Sequence, residues 1–118
     1  DMRKDWRDFA RHIVEAIDRV LRYREQLRAG KVGADIASDA ILRNLETIAE
    51  AASDKIPDSI KDEFPSIDWK GISGMRVRLA HAYLRVDPTI IDATIENDLP
   101  ALRDAMARFV SDPDREDG

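Results

Sequence analysis

The stretch "WRDFARHIVEAIDRVLRYREQL", residues 6–27, decides the fold class. Its apolar positions Phe9, Ile13, Ile17, Val20 and Leu27 recur at steps of three, four and seven, with Ala10, Ala16 and Leu21 beside them. A strand would alternate every second residue; this spacing lays one apolar stripe along a helix of period 3.6. Gly30 and Gly33 supply the stop.

Working outward, Ile41, Leu45, Ile48 and Ala52 form the stripe of a second helix, for which Asp35 or Ser38 offers an N-cap. "SDKIPDSIKDEFPSID" (53–68) breaks the period: Pro57 can open a short helical turn, and Pro65 stops it. Asp68 is placed to cap a third long helix from Trp69. Gly71 and Gly74 weaken that helix by roughly 1 kcal/mol each relative to alanine, which points to close approach of another backbone or a start nearer Met75. The last segment opens with Asp87-Pro88, a cap followed by proline at the first helical position. Its stripe of Ile91, Ile95, Leu99, Leu102, Met106 and Phe109 passes through Pro100 unbroken, so one helix kinked at Pro100 is expected. The fold class is therefore all-α, an antiparallel bundle of four main helices, with residues 1–118 forming a single domain.

Composition agrees. Charged residues make up 36% of the 118 and aromatics 6%, a profile suited to helices rather than a β-sandwich. With no cysteine, disulfides, thiolate metal sites and a cysteine nucleophile are excluded. No apolar run approaches the ~20 residues needed to cross a bilayer, and no signal-peptide core is present, so a cytoplasmic location is expected and no membrane association. A net charge of −5 argues against general DNA coating but leaves room for a local basic site.

Such a site exists in the third long helix. Lys70, Arg76, Arg78 and Arg85 lie between Trp69 and Arg85 with no Asp or Glu among them, although acids outnumber bases in the chain. A solvated face is the plain explanation of a charge cluster. Helical phase adds detail: Ile72, Met75, Leu79, Ala82 and Val86 share the expected core face, with Arg76 and Tyr83 at its edge. His81 falls nearly opposite, beside Val77 and Leu84. Arg76 and His81 diverge by about 140° on a straight helix. They can share a substrate only through a bend or a second subunit, and a twofold axis would set two copies of Arg76, His81 and Tyr83 around one cleft. An imidazole with an ordinary pKa of about 6.5 exchanges protons at neutral pH. A guanidinium matches phosphate oxygens. The combination suits metal-independent RNA cleavage, with the 2′-hydroxyl as internal nucleophile. No cofactor or metal is called for, since no His, Asp or Glu cluster has ligand spacing.

"Arg76-x-x-x-x-His81-x-Tyr83" resembles the Arg-x4-His-x-Tyr motif of the HepT-like toxins, a branch of the HEPN ribonucleases. The flanks "IDWKGISGMR" (67–76), "VD" (86–87) and "IENDLPALRDAM" (95–106) are similar too, as are "RNLETIAEAA" (43–52) and "HIVEAI" (12–17) upstream. The resemblance implies a HEPN-like homodimer in which Arg76 and His81 cleave RNA. It further implies that Tyr83 receives AMP from a minimal nucleotidyltransferase antitoxin of the MntA type, placing bulky anions beside Arg76. One departure stands out: the residue after the motif arginine is commonly polar in that family, and here it is Val77. A catalytically weak or inactive dimer that binds RNA or the nucleotidyltransferase is the alternative reading. Ala82 stands where many relatives have glycine, a milder change. Arg78 lies three residues before His81 and is positioned to contact phosphate or depress the imidazole pKa. Lys70, Arg85 and Glu50 are candidate RNA-binding or supporting residues, Glu50 on condition that the second and third long helices pack together. Structural readings suit His12, Arg43 and the Trp69 ring.

Overall fold

The computed structural model describes residues 5–85 and 88–111, excluding the side chains of 5, 82–85 and 88. Among these, α1 (Asp5–Arg28), α2 (Ala34–Glu50), α3 (Asp58–Lys61), α4 (Trp69–Arg85) and α5 (Pro88–Ser111) form the framework, with a π turn at Ala51–Lys55 continuing α2. The four long helices close into a ring: α1 packs on α2, α2 on α4, α4 on α5, and α5 back on α1. Their stripes meet in one core that includes Ile13, Ile17, Leu45, Ile48, Met75, Leu79, Leu99, Leu102 and Met106. The ring is what helices with one apolar face each must form to hide that face from water.

The end of α1 follows from its sequence. Gly30 adopts φ +71, a left-handed conformation open to glycine at no steric cost. Lys31 N donates to Gln26 O at 2.9 Å and Gly30 N to Leu27 O at 3.1 Å, the paired bonds of a Schellman motif. The short connection then reverses the chain, so α2 runs back along α1 as its antiparallel neighbour. Here one expectation is corrected. Gly33 caps α2 and makes no side-chain bond, while Asp35 lies inside the first turn rather than ahead of it. There its carboxylate still favours the positive end of the helix dipole. Leu21, expected beside the core, is 39% exposed.

Pro57 is the N-cap of the single-turn α3, as its fixed φ favours. The π turn before it has no counterpart in the apolar spacing of the sequence. The α5 helix continues through Pro100 as one element, with Ile95 and Leu99 before the proline and Leu102 and Met106 after it all buried. The expected cap at Asp87 lies outside the described residues. Among the described residues no helix is long and apolar enough to cross a membrane.

Ion pairs tie α1 to α5. Arg103 donates to both oxygens of Asp18, at 2.7 and 3.0 Å, and Arg24 meets Glu96 at 2.7 Å. The Arg103 hydrogen bond holds the Asp18 carboxyl below the ordinary carboxylate range, and the same bond raises Arg103. A carboxylate with a depressed folded pKa contributes stability above its unfolded pKa and loses it as pH falls through the folded value. Thermal melts from neutral to acid pH should therefore show the parent losing its advantage over Asp18→Asn as pH drops below about 4. Parallel melting curves for the two proteins would contradict this.

Candidate functional site

The site is carried by α4, and its N-terminus explains its placement. Asp68 Oδ1 accepts from Gly71 N at 2.9 Å, the side-chain cap expected from the sequence. Ile72 N donates to Asp68 O at 3.0 Å, so the helix begins at Trp69 and not near Met75. The half-buried Trp69 ring is pinned by its Nε1, which donates to Lys61 O and Phe64 O at 3.1 Å each. The glycines have a different reason from the one anticipated. A methyl group at Gly71 would collide with the capping Asp68 carboxylate, and one at Gly74 would meet only Arg78 Nη1, at 3.7 Å. Gly71 therefore leaves room for its own helix's cap, since the three atoms nearest such a methyl all belong to the Asp68 side chain.

Ile72, Met75 and Leu79 are buried as phased, which fixes the rotation of α4 against α2 and α5. The positions between them point outward. Lys70, Arg76, Val77 and His81 are all exposed, Val77 at 74%. Because α4 is continuous, Arg76 and His81 stand about 140° apart around its axis and about 7.5 Å apart along it. Expected faces at Ala82, Tyr83, Leu84, Arg85 and Val86 fall outside the described side chains. Residues 82–85 are helical in backbone.

The cationic island is compensated from other elements. Arg78 Nη2 meets Asp98 of α5 at 2.6 Å, and Nη1 donates to Gly71 O at 3.0 Å. Arg78 is thus aimed two turns back along α4, away from the His81 end. Burial raises the Asp98 carboxyl above its ordinary value, with Arg78 opposing that rise and the nearby Asp68 charge adding to it. Asp68, Gly71, Arg78, Thr94, Asn97 and Asp98 border a shallow cavity of about 300 Å³ between α4 and α5.

On the other side, Arg76 Nη1 lies 4.0 Å from Asp54 Oδ2. Asp54 belongs to the π turn, and sequence reasoning passed over it. The turn is tied to α4 by a 2.9 Å hydrogen bond between the hydroxyls of Ser53 and Ser73. Glu50 and Arg43 are exposed on α2, and although α2 does pack on α4, Asp54 is the acid that reaches the motif arginine. Only its place as the one acid between Glu50 and Asp58 could have drawn attention to it. His12 packs edge-on against Phe9, ring centroids 6.5 Å apart, a structural contact within α1. Among the described residues no group of His, Asp or Glu is arranged to hold a metal ion.

Among the described residues, an all-helical ring with an Arg-x4-His motif exposed on one wall is the arrangement that the resemblance to the HEPN ribonucleases implies. Comparison with known families narrows this: the ribonuclease HepT-like family model matches residues 13–109, and the chain belongs to that family. It is 32% identical over 103 residues to a Thermococcus cleftensis protein named as a ribonuclease HepT, covering 86% of this chain and 93% of the other. A Methanocaldococcus jannaschii protein named as an RNase is 27% identical over 116 residues, covering 98% and 95% of the two chains. One from Caldanaerobacter subterraneus, also named as an RNase, is 36% identical over 67 residues, 57% of this chain and 59% of the other. No solved structure matches the chain significantly.

The cap geometry gives a test in which a sign reverses. Gly71→Ala, a change worth about 1 kcal/mol of stabilisation in an ordinary helix, should destabilise this protein because it displaces Asp68. In an Asp68→Ala background the same change should stabilise. Urea denaturation of the four proteins reads both signs, and an unconditional gain from alanine at 71 would refute the steric account.

Proposed function

We propose that the protein is a metal-independent endoribonuclease toxin that acts as a homodimer in the cytoplasm, with Arg76 and His81 as its catalytic residues. The observation that carries this reading is the uninterrupted α4, which exposes both groups about 140° apart around its axis. Groups set this far around one helix converge on a single strand of RNA where a second copy of α4 faces the first. Val77, apolar and exposed between them, is suited to such a contact.

In the cleft, the RNA 2′-oxygen attacks the adjacent phosphorus and the bond to the 5′-oxygen breaks, leaving a cyclic phosphate and a free 5′-hydroxyl. His81 removes the 2′-hydroxyl proton or protonates the departing 5′-oxygen. Arg76 stabilises the charge that grows on the phosphoryl oxygens. Arg78, bound to Asp98 and Gly71, is a supporting residue of α4, and Lys70 and Arg85 are further candidates for binding the RNA strand. Tyr83 is the control point: its hydroxyl oxygen attacks the α-phosphorus of ATP in the active site of an MntA-type nucleotidyltransferase antitoxin, and diphosphate leaves. The attached AMP competes for Arg76 and blocks the groove.

Val77 favours a second reading, a weakly active or inactive dimer that binds RNA or the nucleotidyltransferase. Its exposed isopropyl group offers no hydrogen bond to a substrate or to the catalytic pair.

Incubation of purified protein with mixed cellular RNA in EDTA decides between them. Cleavage by the parent, and none by His81→Ala or Arg76→Ala, is the expected outcome; equal traces in all three would favour the second reading. If the pair is completed across the dimer, remixing the two inactive variants should restore roughly a quarter of parental activity, since half the dimers mix and each holds one intact pair. Co-expression with an MntA-type nucleotidyltransferase should add AMP to the intact mass. Increments that persist in Tyr83→Phe would remove Tyr83 from this role.

A further inference from the structure

The two arginines that flank Val77 are held in opposite ways. Arg78 is locked, with bonds of 2.6 Å to Asp98 and 3.0 Å to the Gly71 carbonyl. Arg76 is 54% exposed, and its 4.0 Å separation from the 55% exposed Asp54 is beyond hydrogen-bond reach. A pair this long and this wet is weak, and it yields to salt or to a competing anion.

The position of Asp54 is nevertheless well determined. It sits in the π turn, where one added residue per turn rotates the side chains that follow. Ala51 and Ala52 bury the inner side of the turn. Ser53 is bonded to Ser73 of α4 through its hydroxyl, and its carbonyl accepts from Lys61 Nζ at 3.0 Å. Lys55 Nζ lies 5.6 Å from the centre of the Phe9 ring. Ser73 precedes Arg76 by three residues and so neighbours it on the helix surface. The turn is thus fastened to the part of α4 that carries Arg76, with Asp54 between its two anchored neighbours.

We propose that Asp54 is a positioning residue for Arg76. The π turn holds its carboxylate where it directs the guanidinium into the groove, and a phosphate of the RNA strand displaces it on binding. This rests on the assignment of Arg76 to the RNA cleft. A locked arginine could not exchange partners in this way, and an arginine without a counter-charge would sample more rotamers before substrate arrives.

The test is a binding cycle in the His81→Ala background, where the strand stays whole. Anisotropy of a fluorescent single-stranded RNA gives the affinity. Asp54→Asn should tighten binding about threefold, the scale of one exposed ion pair, and Arg76→Ala should erase that gain. In the chain that retains His81, Asp54→Asn should lower KM about threefold and leave kcat unchanged, because the contact is already broken in the bound complex, and Asp54→Glu should return KM toward the parental value. A purely structural Asp54 would lower Tm without moving the two constants. Unchanged affinity in Asp54→Asn, a gain that survives Arg76→Ala, or no RNA binding at all would each overturn the proposal. Parental cleavage that disappears in His81→Ala checks the Arg76–His81 assignment separately, so the two readings can fail independently.

Discussion

The burial of Ile72, Met75 and Leu79 is the constraint on which the rest depends. These side chains face the common core, and with α2 on one flank and α5 on the other, α4 cannot rotate without exposing them. Each fully buried aliphatic side chain is worth about 1.5–3 kcal/mol, so turning the stripe outward is far more costly than any surface interaction could recover. Once the rotation is set, the outward direction of Arg76, Val77 and His81 follows from the 100° step between residues. The exposed side chains on one face of α4 are held in place by packing on the other.

Much of this was legible in the sequence because it is periodic. The apolar stripes of α1, α2, α4 and α5 needed only counting, and the continuity of Ile95, Leu99, Leu102 and Met106 carried the last helix through Pro100. The Asp68 cap was readable for a similar reason, since its partner lies three residues away. What escaped were features set by neighbours distant in sequence or by backbone geometry without a side-chain signature. No pattern in "AASDK" marks a π turn, and capping of α2 by Gly33 involves no side chain at all. The glycine costs pointed to another backbone or to a helix start nearer Met75, whereas the space at Gly71 is taken by the Asp68 carboxylate.

The acid-free run of α4 was the sharpest clue to the site, and it was also incomplete. Read along the chain it is a cluster of bare cations; read across the bundle, Asp98 and Asp54 stand beside two of them. Their effects differ because their surroundings differ. Asp98 is partly withdrawn from water and bonds Arg78 closely, whereas Asp54 shares Arg76 with solvent. Two arginines separated by a single valine thereby have different surroundings, a distinction that one-dimensional charge counting cannot draw. These contacts show which of the two is held at hydrogen-bond distance and which is not.

The ring of helices is joined by its first and last members, and Asp18 and Arg103 are 85 positions apart. During translation, α1 emerges before α5, so its α5-facing side stays uncovered until α5 has left the ribosome. A nascent chain halted after α4 already contains the whole Arg76–His81 motif yet lacks the wall that seats it. The order of synthesis therefore delays the seating of α4 until α5 has been made.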